Sequence, residues 1–385
     1  MTASREPVAG PPADAARPFN RAWRAAGATA QEQALPGGRV VVSCPAPYGA
    51  GGLGRHLREI VEALERSGAT AARICESPPD RPSSPPAWRR PSRARVLAPF
   101  VRLSPAWRMW VVSVDFDSRA AATLPGADHL IAFNGTAIEQ FRAARRRRVE
   151  SVSLMSANSH MRHVLRRHEE AHRRYPIERP WATHLQKRNL AEYAEADRIY
   201  VSSQYVRESF LEEGFPAEVL LDFPLTPDPR YAPEADRSRP ATFDIVYIGS
   251  LLVHKGVPLL IEAFRRLLGA DLRLILVGGW KTREMRRFIQ RACAEDSRIS
   301  VAPGDPLVHL RRARLCVHPA YEDGFAYAPA EALASGVPVI VSEDTGMKEL
   351  IDDERSGLIL PTGDSEALSA AIEAATRGEI LDAGR

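Results

Sequence analysis

Short apolar segments rich in valine, isoleucine and leucine recur along the chain and alternate with longer amphipathic segments. They cover residues 39–45, 109–116, 129–134, 150–157 and 198–203 in the first half, and residues 244–250, 273–279, 298–304, 314–320 and 337–344 in the second. Because these segments are uniformly apolar rather than alternating, they predict strands covered on both faces. The amphipathic segments between them predict helices, so we expect repeated β-α-β units and parallel sheets.

A stretch dense in proline and charge, residues 223–242, separates the two halves and predicts an interdomain linker. The predicted organisation is a Rossmann-like domain over residues 37–222 and a second one over residues 243–385. The first 36 residues, rich in alanine, proline and glycine, are expected to be a disordered tail. Ligands of doubly wound sheets bind outside the carboxyl ends of the strands, which predicts a small-molecule site in the cleft between the domains.

Composition places the chain among soluble globular proteins. Of its 385 residues, 44% are hydrophobic and 26% are charged, and no apolar run is long enough to predict a membrane-spanning helix. The net charge of +4 is a mild bias that fits an anionic ligand or an acidic membrane surface without requiring either. The 4 cysteines lack metal-ligand spacing, which favours free thiols in a reducing, cytoplasmic compartment.

Lys255 stands in a short loop between a predicted strand and the amphipathic helix "VPLLIEAFRRLL". A cation beside the positive end of a helix is unfavourable unless an anion lies between them, and a phosphate would satisfy both. Taken alone, the pattern favours a solvated loop lysine, since single Lys-Gly pairs are common.

The segment "YEDGFAYAPAEALASG" (321–336) predicts a turn followed by a helix. The backbone N–H groups of Gly324, Phe325 and Ala326 would point out of the helix start toward an oxyanion. Further along, the carboxylate of Glu331 is suited to accept hydrogen bonds from a vicinal diol such as a ribose. The alternative is that Asp323 caps the helix and Glu331 is a surface residue.

The second half resembles the nucleotide-binding domain of glycosyltransferase family 4, the retaining sugar-nucleotide transferases of GT-B fold. The matching segments are "GSLLVHKG", "ILVGG", "EDGFAYAPAEALASGVPVIVSEDTGMKELI" and "SGLILPTGD", in the family's order and spacing over roughly residues 243–376. The resemblance implies two Rossmann-like domains facing across a cleft, with the donor bound to the C-terminal domain and the acceptor to the N-terminal one. A nucleotide-diphosphate sugar is then the co-substrate, with no metal and no resident cofactor.

The resemblance also implies residue roles. Lys255 would contact the donor diphosphate, and Asp323 would be the first acid of the family's Glu-x7-Glu pair, near the sugar hydroxyls. Glu331 would hold the ribose, while Gly324, Phe325 and Ala326 would supply backbone donors. Glu349 fits the pattern as a support residue.

Three departures from the family pattern stand out. The first acid is aspartate, and Ser250 occupies the donor-site position where many members carry an arginine. The diphosphate contact is therefore expected to depend more on Lys255, or on another base such as His254. The family's C-terminal helix that crosses back to the first domain is not recognised before Arg385.

The first strand leads into the glycine-rich segment "PAPYGAGGLGRHLREIVEALERSG" (45–68). Such a loop is a weak signal, and an ordinary loop is the alternative. It resembles the family's glycine loop facing the donor phosphate, which implies that Gly51, Gly52 and Gly54 are site residues. Near the end of a later strand, His160 resembles a family histidine that contacts the donor sugar, which makes it a catalytic candidate with Lys255 and Asp323. The alternative is a base-rich surface helix with incidental histidines, preferred for His163, His168 and His172.

Two further segments of the N-terminal half carry candidate binding residues. The segment "VDFDS", with Asp115 and Asp117, is similar to the Asp-x-Asp metal motif of the other main glycosyltransferase fold, which we interpret as a coincidence. Residues 89–110 mix arginines with Phe100, Trp107 and Trp110, and Trp88 directly precedes them. This composition fits either an anionic membrane face or a loop packed on its domain. No nucleic-acid partner is expected, because no stacking motif accompanies the arginines.

The resulting hypothesis is a cytoplasmic retaining glycosyltransferase, with the inner face of the membrane as an additional location. It would transfer a sugar to a hydroxyl of a glycan, lipid-linked or small-molecule acceptor. The alternatives are a GT-B sugar-nucleotide epimerase and a non-catalytic nucleotide-sugar-binding protein.

Overall fold

The computed structural model describes residues 17–76, 105–233 and 241–381, which form two α/β domains. The strands of the N-terminal domain are β1 (Arg39–Pro47), β2 (Thr70–Glu76), β3 (His129–Phe133), β4 (Ser151–Ser156), β5 (Arg198–Val201) and β6 (Leu220–Asp222). Its α-helices are α1 (Arg17–Ala34), α2 (Gly51–Arg66), α3 (Pro105–Thr123), α4 (Ile138–Arg146), α5 (Met161–Arg174), α6 (Gln186–Glu195) and α7 (Gln204–Leu211), with 3-10 turns at Thr183–Leu185 and Ala217–Val219.

The N-terminal strands form a parallel sheet of 6 strands in the order β2-β1-β3-β4-β5-β6. The order reverses between β1 and β3, so the loops that follow these two strands leave the sheet at a topological switch point. The glycine turn after β1 lies at this point.

The C-terminal domain repeats the architecture. Its strands are β7 (Phe243–Ile248), β8 (Leu272–Val277), β9 (Ile299–Ala302), β10 (Leu315–His318), β11 (Val339–Ser342) and β12 (Gly357–Leu360). Its helices are α8 (Val257–Arg265), α9 (Arg283–Glu295), α10 (Pro306–Leu310), α11 (Tyr327–Ala334) and α12 (Ser365–Thr376), with a 3-10 turn at Gly346–Leu350.

The second sheet is also parallel, in the order β12-β11-β10-β7-β8-β9. Its order reverses between β7 and β10, which pair directly through Leu315 and Ile245. All residues of β7 are buried, as expected for a strand covered by helices on both faces. The predicted class of two doubly wound parallel sheets is confirmed.

One apolar cluster spans the domain boundary. Phe133 and Tyr200 of the N-terminal domain belong to the same buried cluster as Phe325, Tyr327 and Met347 of the C-terminal domain. The two sheets are therefore joined by packed side chains as well as by the connecting chain.

Several sequence predictions were wrong in detail. The apolar residues 109–116 lie within helix α3 rather than in a strand, since a continuous apolar run does not distinguish a strand from a helix. Strands β2, β6 and β12 were not predicted, because each is short or carries polar residues. Helix α1 lies in the predicted disordered tail, and it is tied down where the Gln31 amide donates to Glu59 Oε2 (3.1 Å) and to the Pro224 carbonyl (2.7 Å).

The predicted linker begins directly after β6 and ends directly before β7. Residues 1–16, 77–104, 234–240 and 382–385, with the greater part of the arginine-rich segment 89–110, lie outside the described residues. Among the helices of the described part, none combines the length and the hydropathy needed to cross a membrane.

Candidate functional site

Lys255 and Asp323 meet at the switch point of the C-terminal sheet. Lys255 lies in the loop after β7 and Asp323 in the loop after β10, and these strands are neighbours. The Lys255 Nζ is 2.9 Å from Asp323 Oδ2 and donates to the Glu322 carbonyl, also at 2.9 Å. The next residue, Gly256, has a φ of +74°, and a Cβ there would lie 1.9 Å from the Pro319 carbonyl oxygen, so the close approach of the two loops requires glycine.

Asp323 is held in its charged form. Burial opposes its ionisation, but Lys255 and the Nε2 of His318, 3.1 Å from Asp323 Oδ2, keep the pKa of this carboxyl well below its usual range. The switch point therefore carries a neutralised pair in which the lysine donates to a carboxylate and a carbonyl. A bound phosphate would be a third acceptor for the same ammonium group.

The start of helix α11 packs directly against the N-terminal domain. A Cβ on Gly324 would lie 2.6 Å from the Ala157 carbonyl oxygen, and the Gly324 carbonyl accepts a hydrogen bond from the Ser203 hydroxyl at 2.7 Å. Phe325 is buried, and Ala326 takes the left-handed conformation with a φ of 65°. The backbone of the three predicted donor residues is thus held in one arrangement at the domain boundary, and positive φ at an alanine marks strain at this site.

Glu331 is buried on α11 and forms a salt bridge with Arg55, from the first turns of helix α2 in the other domain. The Arg55 guanidinium also lies 4.5 Å from the centre of the Tyr327 ring. Burial raises the pKa of Glu331 to about 7, and Arg55 opposes that rise. The acid predicted to hold a ribose is therefore paired with an arginine from across the cleft.

The three predicted glycines lie in the first turn of α2, beside Arg55. A Cβ on Gly54 would lie 2.0 Å from the Pro47 carbonyl oxygen, so this glycine is required by the turn itself. At Gly51 and Gly52 a Cβ would meet no atom within 4 Å, although Gly51 has a φ of +64°. The structure thus places the glycine turn opposite Glu331 across the cleft, with open space over Gly51 and Gly52.

His160 does not face the cleft as predicted. It caps the N-terminus of α5, and its buried ring packs among Tyr193, Phe210 and Phe215 at centroid distances of 4.9, 5.1 and 5.6 Å. Burial lowers the pKa of His160 to about 4, so the ring is neutral. The carboxyl end of β4 was assigned correctly, but the side chain turns into the core of its own domain.

His254 does not take the place of the missing arginine. Its buried ring stacks on His168 of α5 with centroids 4.0 Å apart, and His172 and Trp181 surround the pair. Burial lowers the pKa of both stacked histidines well below the ordinary value. His168 was interpreted as a surface residue, but it lies in the domain interface. Ser250, half-buried, is at the end of β7, where its carbonyl accepts a hydrogen bond from the Tyr247 hydroxyl at 2.9 Å.

Comparison with known proteins finds relatives of the C-terminal domain. The family described as glycosyl transferases group 1 matches residues 233–383, which span the C-terminal domain. The C-terminal domain is similar to group 1 glycosyl transferases. The O-antigen chain mannosyltransferase B of Escherichia coli is 32% identical over 136 residues, a match that covers 33% of this chain and 35% of the relative. The chain therefore spans about a third of the length of that curated relative.

Solved structures show the fold of the whole chain. Sucrose-phosphate synthase from Thermosynechococcus elongatus has a TM-score of 0.62 at 20% identity, covering 89% of this chain and 90% of that one. Anabaena HepE, solved in complex with UDP-glucose, has a TM-score of 0.57 at 14% identity, covering 89% and 90%. The predicted GT-B fold is confirmed, and the sequence relative of the C-terminal domain is itself a glycosyltransferase.

Sequence reasoning missed the polar contacts that join the two domains of this GT-B fold. Buried Glu322 accepts hydrogen bonds from the Ser159 backbone (3.1 Å) and hydroxyl (3.0 Å). Asp344 pairs with Arg167 at 2.7 Å, and the Glu349 carboxylate accepts the Tyr205 N–H at 3.0 Å, in keeping with its predicted support role. For the Arg55–Glu331 salt bridge, the position of Arg55 directly after the glycine turn was a usable signal in the sequence. The three contacts given in this paragraph had no comparable signal.

Asp115 and Asp117 lie inside helix α3, away from this site. The buried Asp117 carboxylate accepts the N–H groups of Glu139 (2.8 Å) and Gln140 (3.0 Å) at the start of α4, and it pairs with Arg188. Asp115 pairs with Arg119 at 2.8 Å on the same helix. Both carboxylates therefore have structural partners.

Proposed function

We propose that this protein is a retaining glycosyltransferase that moves a sugar from a nucleotide-diphosphate donor to an acceptor hydroxyl. The observation that carries the proposal is the placement of Lys255 against Asp323 at the β7–β10 switch point, directly before the start of α11. Ligands of doubly wound sheets bind at this position. The glycine turn of the other domain reaches the same helix through the Arg55–Glu331 salt bridge.

Stabilisation of the leaving diphosphate is the main chemical requirement of the reaction. Lys255 supplies a cation, and the backbone at Gly324–Ala326 supplies N–H groups at a helix start, both suited to developing negative charge. Arg55 is a further cation that already reaches the donor domain, and it offsets the absence of an arginine at Ser250. Metal independence is part of this proposal, because these groups provide the positive charge that a divalent cation would otherwise provide.

We infer the transfer step from the resemblance to the retaining GT-B family, and the placement of Asp323 supports it. Asp323 is engaged by Lys255 and His318, so it is suited to hold sugar hydroxyls rather than to attack the anomeric carbon. We therefore assign attack by the acceptor oxygen on the face from which the diphosphate departs. The bond from the anomeric carbon to the phosphate oxygen breaks, the bond to the acceptor oxygen forms, and the acceptor proton passes to the leaving phosphate.

The same arrangement supports a binding position for the ribose of the donor and one for the acceptor. Glu331 would accept hydrogen bonds from the ribose hydroxyls once Arg55 shifts toward the diphosphate, which keeps the buried carboxylate partnered. The N-terminal domain would hold the acceptor. A growing glycan is the favoured acceptor, in line with the O-antigen relative, and UDP-glucose is the first donor to test, in line with the HepE complex.

The test is a panel of UDP-, GDP- and ADP-sugars. Donor binding is measured by thermal shift, and NMR of the product gives the configuration at the anomeric carbon. Lys255→Ala is expected to lower turnover at least about 100-fold, as loss of a charge-stabilising donor does elsewhere. Lys187→Ala is the matched control, because Lys187 is an exposed lysine of α6.

Each alternative has its own outcome in this panel. Turnover of donor without any acceptor, giving an epimeric sugar, would establish the epimerase. Binding of a donor with neither transfer nor hydrolysis above background would establish the non-catalytic binding protein. Loss of turnover after EDTA treatment, restored by Mg²⁺, would overturn metal independence alone.

A further inference from the structure

The first turns of helix α3 expose large apolar side chains to solvent. Trp107 is 52% exposed, Met109 39%, Trp110 36% and Val112 38%. The two indole rings contact each other edge to face at 5.7 Å, and Trp107 also packs on His184 at 4.5 Å. Clustered exposed tryptophans are uncommon on soluble surfaces and mark interaction sites.

Exposed arginines lie near both ends of α3, with Arg108 at its start and the others near its last turns. Arg108 on α3, with Arg146 and Arg148 at the end of α4, are exposed, and no carboxylate partner exists for them among the described residues. The nearby acids are engaged, since Asp115 pairs with Arg119 and Glu139 with Arg142. In the sequence, residues 81–114 contain 7 arginines and no acidic residue. The charge of this stretch of sequence is therefore positive although the whole chain is nearly neutral.

The two tryptophans and Arg146 lie along one side of α3. Trp107, Trp110, Ser118 and Ala121 share one face at helical spacing. That face ends in a cavity of about 410 Å³ with an alanine-rich wall and an arginine rim, lined by Ser118, Ala121, Ala122, Glu139, Ala143, Arg146 and Arg147. We refer to the exposed start of α3 together with Arg146 and Arg148 as the α3 face.

We propose that the α3 face docks the protein on an anionic lipid bilayer. Tryptophan side chains favour the water–bilayer interface, and arginines attract acidic headgroups, so the two features together fit a bilayer surface. Charge complementarity selects anionic lipid, and the exposed apolar side chains distinguish this face from a purely ionic site. The proposal concerns where the enzyme works and does not depend on the sugar-transfer chemistry.

The test is flotation of the full chain with vesicles of phosphatidylcholine alone and of phosphatidylcholine with 30% phosphatidylglycerol. Binding is expected only to the anionic vesicles and should fall as salt rises. Trp107→Ala/Trp110→Ala should weaken it at least about tenfold. Arg146→Gln/Arg148→Gln should also weaken it about tenfold or more, since each arginine near an acidic surface contributes about fivefold.

Matched controls come from the C-terminal domain. Arg287→Gln/Arg291→Gln removes two exposed arginines from α9, and Leu268→Ala removes a side chain that is 94% exposed. Neither should change vesicle binding. Equal binding to both vesicle types, binding unaffected by the tryptophan or arginine variants, or a dimer that the tryptophan variant dissociates would each overturn the proposal. Retention on an RNA or acidic-protein column, without flotation, would overturn it as well.

Discussion

Arg55 of helix α2 and Glu331 of helix α11 form a salt bridge that joins the two domains across the predicted donor cleft. Glu331 is buried, and its pKa is raised to about 7 by burial, with Arg55 opposing the rise. A carboxylate in this position is ionised near neutral pH only because a cation accompanies it. The salt bridge therefore couples the ionisation of Glu331 to the contact between the two domains.

Arg55→Ala should lower the free energy of unfolding by about 1.5 kcal/mol at pH 8, because the buried Glu331 carboxyl, whose pKa is about 7 with Arg55 present, loses the cation that keeps it ionised. At pH 5 the loss should be smaller, since the pKa of Glu331 lies above that pH and the carboxyl is then neutral. Denaturant unfolding at the two pH values measures both. The double variant Arg55→Ala/Glu331→Gln is the control and should recover part of the loss at pH 8. A loss that is the same at both pH values would contradict this role.

Gly52→Ala and Gly54→Ala should differ sharply. A Cβ at Gly52 meets open space, so the fold should tolerate it while donor binding weakens, because the added methyl group obstructs the approach of the ligand to the turn. At Gly54 the Cβ meets the Pro47 carbonyl oxygen at 2.0 Å, so the melting temperature should fall by several degrees. Thermal unfolding and donor titration separate the two effects. Unchanged donor affinity in Gly52→Ala would remove this glycine from the site.

His160→Gln should reduce stability rather than catalysis. The ring fills a buried aromatic cluster, and its replacement should lower the free energy of unfolding by about 2 kcal/mol. Turnover per folded molecule, measured well below the melting temperature, should stay within about twofold of the parent. A loss of turnover comparable with that of Lys255→Ala would instead place His160 in the catalytic step.

The stacked pair His168 and His254 should make the protein sensitive to acid. Both have a pKa well below the ordinary 6.5 because they are buried, so below that pH the unfolded chain binds protons that the folded protein does not. Stability supplied by the neutral pair is therefore present above pH 6.5 and is lost as the pH falls below it. Lys255 lies beside the pair and disfavours its protonation further.

His168→Phe is the variant that tests this acid sensitivity. Unfolding curves between pH 7.5 and 5 should show a shallower loss of stability in the variant than in the parent. His309→Phe, at a residue near the α10 C-terminus, serves as the control and should leave the slope unchanged. Parallel pH slopes in the parent and His168→Phe would show that the pair does not titrate with unfolding.

The positions of many strands and helices could be predicted from the local pattern of apolar residues. Buried runs such as 244–250 became central strands, and the order of the segments from "GSLLVHKG" to "SGLILPTGD" indicated which loops would lie together. Lys255 was predicted as a cation before a helix start, and Asp323 as the first acid of the family's pair. They meet because loops after neighbouring parallel strands leave the sheet at one edge. The misassigned run 109–116 shows the limit of the method, because a helix packed by one face can carry the same apolar composition as a strand.

The sequence by itself thus predicted the two domains, the loops at the switch points and the residue types suited to a diphosphate. Tertiary structure decided which side chains meet across the cleft. Glu331 pairs with Arg55, 276 residues away, and Glu322 holds the backbone of Ser159. Tertiary packing also directs the His160 ring into the core of its own domain and stacks His254 on His168. The cleft contacts depend on how the two domain surfaces pack together, and the orientation of His160 depends on packing within its own domain. Burial and distant charge partners leave no periodic trace in the sequence.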